Sequence, residues 1–579
     1  LMTLNSTLRM SRIVKCFPIN GSHFARAALV PLMLFGTTAY AVEITTCATD
    51  AEVPVRVAEA LDGVLTAAVD TEGPLSAAFG AAPGAVLSLQ APDWTYARAA
   101  GVADPETGQP ISCDMAFQIG SNTKMMTAAV ILQLQEEGVL SLDDRLAVHL
   151  PEIANALPNG NVMTLRQLAN HTAGVFSYTD NAPDGSPGIM EGDIADPDAL
   201  RRGYTMTELV DFAIEHGDAS FAPGAEGQWA YSNTGYILLG LIIEKIEARP
   251  IAEVFKARLF DPLGMENTVY WNDVSTPELG LPRAYLGVPF DVETTDWNMS
   301  QGAAAGAVVS TAADMHVFIQ ALMSDALFTV PDTFDVMQNT VPTGSPGIPA
   351  YGIGLAEKAP GVWGHGGQTL GFQSEVVEFS EQGISLVGWA TSSQNIMGLG
   401  AQVVSQALVD GGVLPDPSIA AAAALRASLV DTEWRLISVA DPETGEQAMQ
   451  PDRYSITFVE PGDFAAQADC NRLLGGWNLD KMTLTITPGP MTKALCPPDS
   501  QSDAYVGWLG TTTSAQIDDA GHLILTSNDD GKFTLLQFEG AQSQNVPSAG
   551  TIRLAQPDPV GTPTLRCLSA CRCSHPQLA

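Results

Sequence analysis

The sequence predicts an α+β chain in two parts: a sheet flanked by helices that carries an all-helical subdomain, then a small β-rich domain. Three observations predict it. A helical pattern and a hairpin open the first part, and strand-like runs return after residue 302, so the later strands are expected to rejoin the opening sheet. Helical segments dominate the stretch between them. Beyond residue 430, apolar and polar residues alternate with the period of a half-buried strand.

The chain has 579 residues, which at roughly 100–200 residues per domain predicts two or three domains. Apolar residues make up 46% of it, far above what disordered polyelectrolytes carry, so a sizeable core is expected. With 65 acidic against 27 basic side chains the formal net charge is −38. Such a surface repels phosphate backbones and anionic headgroups over roughly a Debye length, and nucleic acid is not an expected partner. The acidity itself is read as a solvated surface and assigns no chemistry.

Taken in order, Arg9, Arg12, Lys15 and Arg26 precede the apolar run Ala27 to Phe35 and then Ala39-Tyr40-Ala41. This pattern reads as a signal peptide over residues 1–41, and hence as an exported protein, periplasmic or secreted. The apolar run is about half of the roughly 20 residues that a membrane span needs, so removal after Ala41 is expected rather than anchoring; no later segment is long enough to span. Leu1 reads as an over-extended start, with Met10 the more typical one. Cys16 leaves with the signal, and seven cysteines remain in a compartment that permits disulfides. Cys47 with Cys113 and Cys470 with Cys496 are the expected pairs. Spacing alone fixes no pairing, and the odd number leaves at least one thiol free or intermolecular.

Residues 52–69 carry apolar positions at helical spacing, and residues 84–100 read as two strands around Ala91-Pro92-Asp93. From Phe117 to Gly138 the apolar density is high, with Met125, Met126, Ala128, Ala129, Val130, Leu132 and Leu134 uninterrupted by Gly or Pro until Gly138, which predicts a buried helix starting near Ser121. Thr164 to about Leu263 forms the helical subdomain, with Pro- and Gly-bearing loops at Asn181 to Gly188 and Phe221 to Gly227. Val376 to Phe379 and Ile384 to Ala390 read as strands, closed by a helix near Gln402 to Val409. A Gly/Pro loop from Gly411 to Ser418 and the alanine-rich stretch Ile419 to Leu425 mark a boundary, giving domains over 48–412 and 429–540. Residues 541–579, rich in Ser, Pro and Gly, read as a disordered tail. Its Cys567, Cys571, Cys573 and His575 match no common zinc spacing, and no metal is expected.

Three motifs carry chemistry. In Ser121-Asn122-Thr123-Lys124 a hydroxyl and an amine stand three residues apart at a helix start, hence on one face and within reach of each other. The helix N-terminus favours the alkoxide-like character that an attacking serine acquires, and a partly desolvated lysine can serve as base. Lys124 is the one lysine of eight with a serine three positions before it. Tyr231-Ser232-Asn233 precedes the apolar helix Tyr236 to Ile246 and puts a phenol at a helix entrance; helix capping is its plain alternative. Gly364-His365-Gly366-Gly367 lies between strand-like runs, where glycines permit close backbone approach along an edge strand lining a groove, with the Gln368 N–H next in line.

On these motifs the chain resembles the serine β-lactamase-related family, which includes class C β-lactamases, D-alanyl-D-alanine carboxypeptidases, D-aminopeptidases and esterases, over roughly residues 50–410. Thr164-Leu165-Arg166-Gln167-Leu168, His171-Thr172-Ala173-Gly174, Phe221-Ala222-Pro223-Gly224, Pro262-Leu263-Gly264-Met265 and Ala303 to Ser310 are also family-like. The resemblance implies a β-lactamase/transpeptidase-like α+β fold, an antiparallel sheet flanked by helices with an all-helical subdomain. It implies that Ser121 is acylated, that Lys124 and Tyr231 share the base role, and that Asn233 holds a substrate amide. It further implies that His365 and Gly367 line the opposite wall and that the N–H groups of Ser121 and Gln368 form an oxyanion hole, with no cofactor and no metal. His365-Gly366-Gly367 stands where β-lactamases of this group usually have Lys-Thr-Gly, so another acyl substrate is expected, with a class C-like β-lactamase as the alternative.

Trp434-Arg435-Leu436, Cys470-Asn471-Arg472, Gly475-Gly476-Trp477 and the stretch Met491 to Cys496 are similar to META domains, related to the heat-shock protein HslJ, over roughly 430–540. No chemistry is assigned to that unit. The reading is thus a serine hydrolase that cleaves an amide, ester or lactam through an acyl-enzyme, on a small-molecule or peptide substrate of which peptidoglycan fragments are one class. A non-catalytic envelope receptor for such fragments is the alternative of another class. The chain has no Gly-x-Ser-x-Gly elbow and no His-Glu-x-x-His pattern, which weakens competing hydrolase classes.

Overall fold

The computed structural model describes residues 43–540 apart from 48–50, 74, 197–198, 272–279, 288–291, 346, 442–444 and 519. The predicted signal segment and tail, with Cys16, Cys567, Cys571 and Cys573, lie outside the described residues. The chain divides into two compact units between Pro415 and Asp416.

In the first unit, nine strands of a ten-stranded antiparallel sheet follow one another in the order Ile44–Thr46, Thr95–Asp104, Gly84–Gln90, Ile384–Ala390, Gln373–Phe379, Val362–Gln368, Ala356–Ala359, Ile348–Tyr351 and Val341–Ser345. The tenth, Gln109–Pro110, pairs with Thr95–Asp104. The opening hairpin therefore sits directly against a strand that follows it by about 300 residues, in register from Ala85 opposite Ala390 to Gln90 opposite Ser385.

Helices cover both faces of this sheet. Ile384, Leu386 and Ala390 join a core with Val57, Leu61 and Leu65 of the Val55–Val69 helix and Val404 and Leu408 of the Gly400–Asp410 helix. Their neighbours Val387 and Trp389 point into the other core, with the Thr123–Glu136 helix. Every residue of Ile384–Ala390 is buried, so this strand reads as an apolar run where a one-sided strand would alternate. The Thr123–Glu136 helix is buried almost all round, as its uninterrupted apolar sequence predicts. The helical subdomain is present, its Leu165–Ala169 and Met206–His216 helices opened by capping boxes at Thr164 with Gln167 and at Thr205 with Glu208.

One sequence reading needs correction. Val362–Gln368 is not an edge strand: Val362, Trp363 and Gly364 pair with Ala356–Ala359 on one side while the whole strand pairs with Gln373–Phe379 on the other. Only beyond Gly364 does its outer side turn to the Gly120–Asn122 turn. The division between Pro415 and Asp416 falls within the stretch read as a boundary, and its alanine-rich part forms the Pro417–Leu429 helix, whose first turn is capped by the Asp416 carboxylate accepting from Ser418 N–H at 2.9 Å. Its Leu425 and Leu429 are buried in the core of the second unit.

That second unit is barrel-like. Glu433–Asp441, Tyr454–Val459, Asp463–Ala468, Asn471–Asp480, Thr483–Met491, Thr512–Ile517, Leu523–Asp529 and Lys532–Gly540 pair in sequence, and the last returns to pair with the first. Gly445–Ala448 adds to the outside of Glu433–Asp441. Here one face is wet, and Phe464, Ala466 and Ala468 alternate with exposed neighbours, which is the period-two pattern of the sequence. The seam between Thr483–Met491 and Thr512–Ile517 is short, paired at Thr483 opposite Ser514. Disulfides join Cys47 to Cys113 and Cys470 to Cys496.

Gly367 lets the sheet meet the start of the central helix. A Cβ there would lie 2.0 Å from Ile119 O, 2.4 Å from Ser374 Oγ and 2.6 Å from Asn122 Nδ2. Gly367→Ala is expected to cost the first unit about 1–3 kcal/mol by overpacking, whereas Gly63→Ala, where a Cβ meets nothing within 4 Å in a helix, should be neutral or slightly stabilising. Urea unfolding of both variants checks this, and equal losses would contradict it. Replacing Cys470 and Cys496 by serine should remove about 3 kcal/mol from the second unit; an unchanged urea midpoint for that unit would be the contrary result.

Candidate active site

Ser121 sits in the single 3₁₀ turn Gly120–Asn122 that feeds the Thr123–Glu136 helix, so Lys124 falls on the same side one turn later. Lys124 is fully buried. Its Nζ lies 3.1 Å from Ser121 Oγ, 2.7 Å from Asn233 Oδ1 and 2.9 Å from Ala305 O. All three partners are uncharged. Burial holds the amine well below the ordinary lysine range. Below it the ring centroids of Tyr231 and Tyr236 stand 4.8 and 5.3 Å from Nζ.

Tyr231 comes from the loop that enters the Asn233–Glu247 helix, and burial pushes its phenol up, with the Ser121 side chain acting in the opposite sense. The following N-cap residue, Ser232, makes no side-chain cap; its N–H donates instead to His171 Nδ1 at 3.1 Å. Asn233 is gripped at both ends of its amide. Oδ1 accepts from Lys124, and Nδ2 donates to Thr179 Oγ1 at 3.0 Å.

The third motif stands behind these groups. His365 Nε2 is 2.8 Å from the Tyr351 hydroxyl and Nδ1 is 2.6 Å from Gly366 O. A carbonyl oxygen can only accept, so Nδ1 carries a hydrogen. Burial holds this imidazole down to about 3, hence neutral, and Nε2 accepts from Tyr351. The His365 and Tyr231 ring centroids are 6.3 Å apart. Gly367 packs on Ile119, and Gln368 reaches the cleft, with its Nε2 donating to Ser393 O at 2.8 Å.

All seven residues singled out in the sequence therefore gather in one region. Ser121, Lys124 and Asn233 form one hydrogen-bonded group with the Tyr231 ring packed against Lys124, Gln368 borders the cleft beside Ser121, and His365 and Gly367 lie in the layer behind. The cleft itself is bordered by Ser121, Tyr178, Thr179, Met190, Asn233, Trp297, Gln301 and Gln368, with small residues from Gly302 to Gly306.

Several residues in and around the site have roles that the sequence reading did not assign. His171 is buried at a φ of +64°, its ring 4.3 Å from that of Tyr231 and 4.8 Å from that of Tyr351, and burial keeps it neutral. It stands in a motif the sequence shows, but nothing there foretells its packing on the phenol. Tyr351, Trp297 and Gln301 arrive from segments without any motif. Among the described residues no group of three or more His, Cys, Asp or Glu could hold a metal ion, and no helix is long and apolar enough to cross a membrane.

Comparison with known proteins agrees with this architecture. Penicillin-binding protein 4* of Bacillus subtilis is 31% identical over 256 residues, 42% of this chain and 52% of that protein. Esterase EstB of Burkholderia gladioli is 32% identical over 181 residues, 30% of this chain and 43% of that protein. The chain thus spans about half the length of the curated relatives it matches. Among solved structures, a D-stereospecific amidohydrolase from Streptomyces is 30% identical with a TM-score of 0.51, over 60% of this chain and 98% of the other. The D-amino acid amidase of Ochrobactrum anthropi is 26% identical with a TM-score of 0.51, over 61% and 98%. Residues 427–540 match the META domain family. Residues 75–408, more than half of the sequence and the span that holds Ser121, Lys124, Tyr231 and His365, match the Beta-lactamase family, and the chain belongs to it.

Proposed function

We propose that this protein is a serine hydrolase that cleaves an amide or ester through an acyl-enzyme on Ser121. The observation that carries the reading is the environment of the Lys124 amine. A neutral amine has two hydrogens, and Asn233 Oδ1 and Ala305 O are placed to accept both. Its lone pair then faces Ser121 Oγ, 3.1 Å away, and the serine O–H donates to it.

In the proposed reaction Lys124 takes the Ser121 proton as Oγ bonds to the carbonyl carbon. The Ser121 and Gln368 N–H groups stabilise the resulting oxyanion, a contribution of roughly 100–1000-fold per donor in comparable sites. When the tetrahedral species collapses, the bond to the leaving nitrogen or oxygen breaks. The Tyr231 phenol, protonated because it is buried, passes that atom a proton and is recharged from the Lys124 ammonium. Water then attacks the ester carbonyl by the same route in reverse. The likeness to an esterase and to amidases of D-stereochemistry supports amide and ester substrates. Action after export is supported by the basic and apolar character of residues 1–41 and by two disulfides.

The primary test is incubation with a fluorophosphonate, followed by mass spectrometry: one adduct on Ser121, absent in Ser121→Ala, is expected. An unlabelled wild-type protein would sink the hydrolase reading. Lys124→Ala should slow acylation by about 100–10,000-fold, and near-normal labelling would remove Lys124 from the mechanism. The pH dependence has a definite sign. Because the folded-state amine is held well below its ordinary value of about 10.4, the labelling rate should reach its plateau below the ordinary lysine range and fall on acidification as Lys124 takes up a proton. A rate that climbs tenfold per unit up to pH 10 would contradict it.

A further inference from the structure

Trp297 and Gln301 border the cleft beside Ser121 and are 3% and 2% exposed, yet each keeps one polar atom without a protein partner among the described residues: Trp297 Nε1 and Gln301 Oε1. An unmet polar group in so dry a place is costly unless something else meets it. The orientation of the Gln301 amide is not arbitrary. Its Nε2 donates to Asp193 Oδ2, and a carboxylate only accepts, so the amide cannot flip and Oε1 is the atom left over. Asp193 is itself 4% exposed and held by the Tyr204 hydroxyl, which donates to Oδ1 at 2.9 Å. The Gln301 main-chain carbonyl also accepts from the Tyr178 hydroxyl, so the residue is fixed from both sides.

On the Trp297 side the wall is apolar. The Trp297 ring belongs to a cluster with Trp271, Met299 and Leu370, with Met190 packed against it at the cleft. None of the side chains that border the cleft carries a charge. The basic groups packed around Tyr231, namely Lys124, His171 and His365, are buried, and burial disfavours the charged form of each. Lys358 is committed to Glu375 at 2.9 Å. No fixed cation on these walls can offset the desolvation of a substrate carboxylate, whereas an N–H donor finds a preset acceptor in Gln301 Oε1.

We propose that Gln301 and Trp297 form a specificity pocket that takes acyl donors bearing an N–H group and an apolar side chain beside the scissile carbonyl, and that discriminates against those bearing a free carboxylate there. Gln301 Oε1 accepts from the N–H, the apolar group packs on Met190 and Trp297, and Trp297 Nε1 donates to a neighbouring carbonyl of the acyl portion. This inference rests on Ser121 being acylated, and its test separates the two ideas.

Three p-nitrophenyl esters share one leaving group and one benzyl side chain: N-acetylphenylalanine, in either hand, with the N–H; 3-phenylpropionic acid, without it; and 2-benzylmalonic acid as its monoester, with a carboxylate in its place. For the wild type, kcat/KM for one hand of the first is expected to exceed the second by about 10-fold, the worth of one well-placed hydrogen bond, and the third by more. In Gln301→Leu and the near-isosteric Gln301→Met, the ratio of first to second should fall to within about 3-fold. Fluorophosphonate labelling of each variant identifies those that have kept the fold. A wild type that is labelled but handles the first two esters equally, or favours the carboxylate, overturns the pocket and leaves the hydrolase intact. A preference that survives in a labelled variant overturns the role of Gln301. Failure of the wild type to be labelled at all is instead the failure of the hydrolase reading.

Discussion

Everything about the site depends on an amine that has been taken out of water without a carboxylate to meet it. A charged lysine in such surroundings would carry a desolvation cost of several kcal/mol with only neutral dipoles to offset it, so the fold favours the unprotonated form. The same burial acts with opposite sign on the surrounding groups. It raises the phenols of Tyr231, Tyr236 and Tyr351 and lowers the imidazoles of His171 and His365, so that the whole cluster is uncharged. One dry compartment thus sets five protonation states besides that of Lys124, and each is the state in which a proton can be handed on rather than trapped in an ion pair.

That compartment exists because three chain segments pack without gaps. The 3₁₀ turn at Ser121 touches the Val362–Gln368 strand so closely that neither Gly120 nor Gly367 has room for a Cβ. On its other side the central helix is tied to the Ala303–Gly306 segment: the Thr127 hydroxyl donates to Ala304 O at 2.6 Å, and Thr123 Oγ1 accepts from Val308 N–H at 3.3 Å. These are structural bonds, yet they fix the carbonyl of Ala305 against Lys124. Stability and chemistry draw on the same contacts.

How much of this the sequence discloses follows from the range of the interactions. The central helix, the opening hairpin and the alternation in the barrel are local patterns, and each appears at the residues where it was read. Ser121 and Lys124 are equally legible, because three residues on a helix are a fixed distance apart whatever the rest of the chain does. Tyr231 and His365 could be named from motifs, but not their relation, since the ladder that carries His365 behind the phenols is a long-range pairing. The edge-strand reading of Gly364 to Gly367 failed for this reason: its glycines serve contact with a turn more than two hundred residues earlier, while ordinary sheet partners occupy the rest of the strand. Gln301 and Trp297 were invisible because their significance lies in what they leave unbonded, which no residue pattern encodes.

The register that joins Gly84–Gln90 to Ile384–Ala390 has a consequence in time as well as space. The hairpin emerges early from the ribosome, but the strand that covers its inner edge comes about 300 residues later. Until then the growing chain exposes an unpaired β-edge and an unfinished core, and the entropy of closing so large a loop makes the last step slow. A nascent polypeptide held open in this manner stays threadable for much of its synthesis, and would draw on chaperones that mask strand edges during that interval.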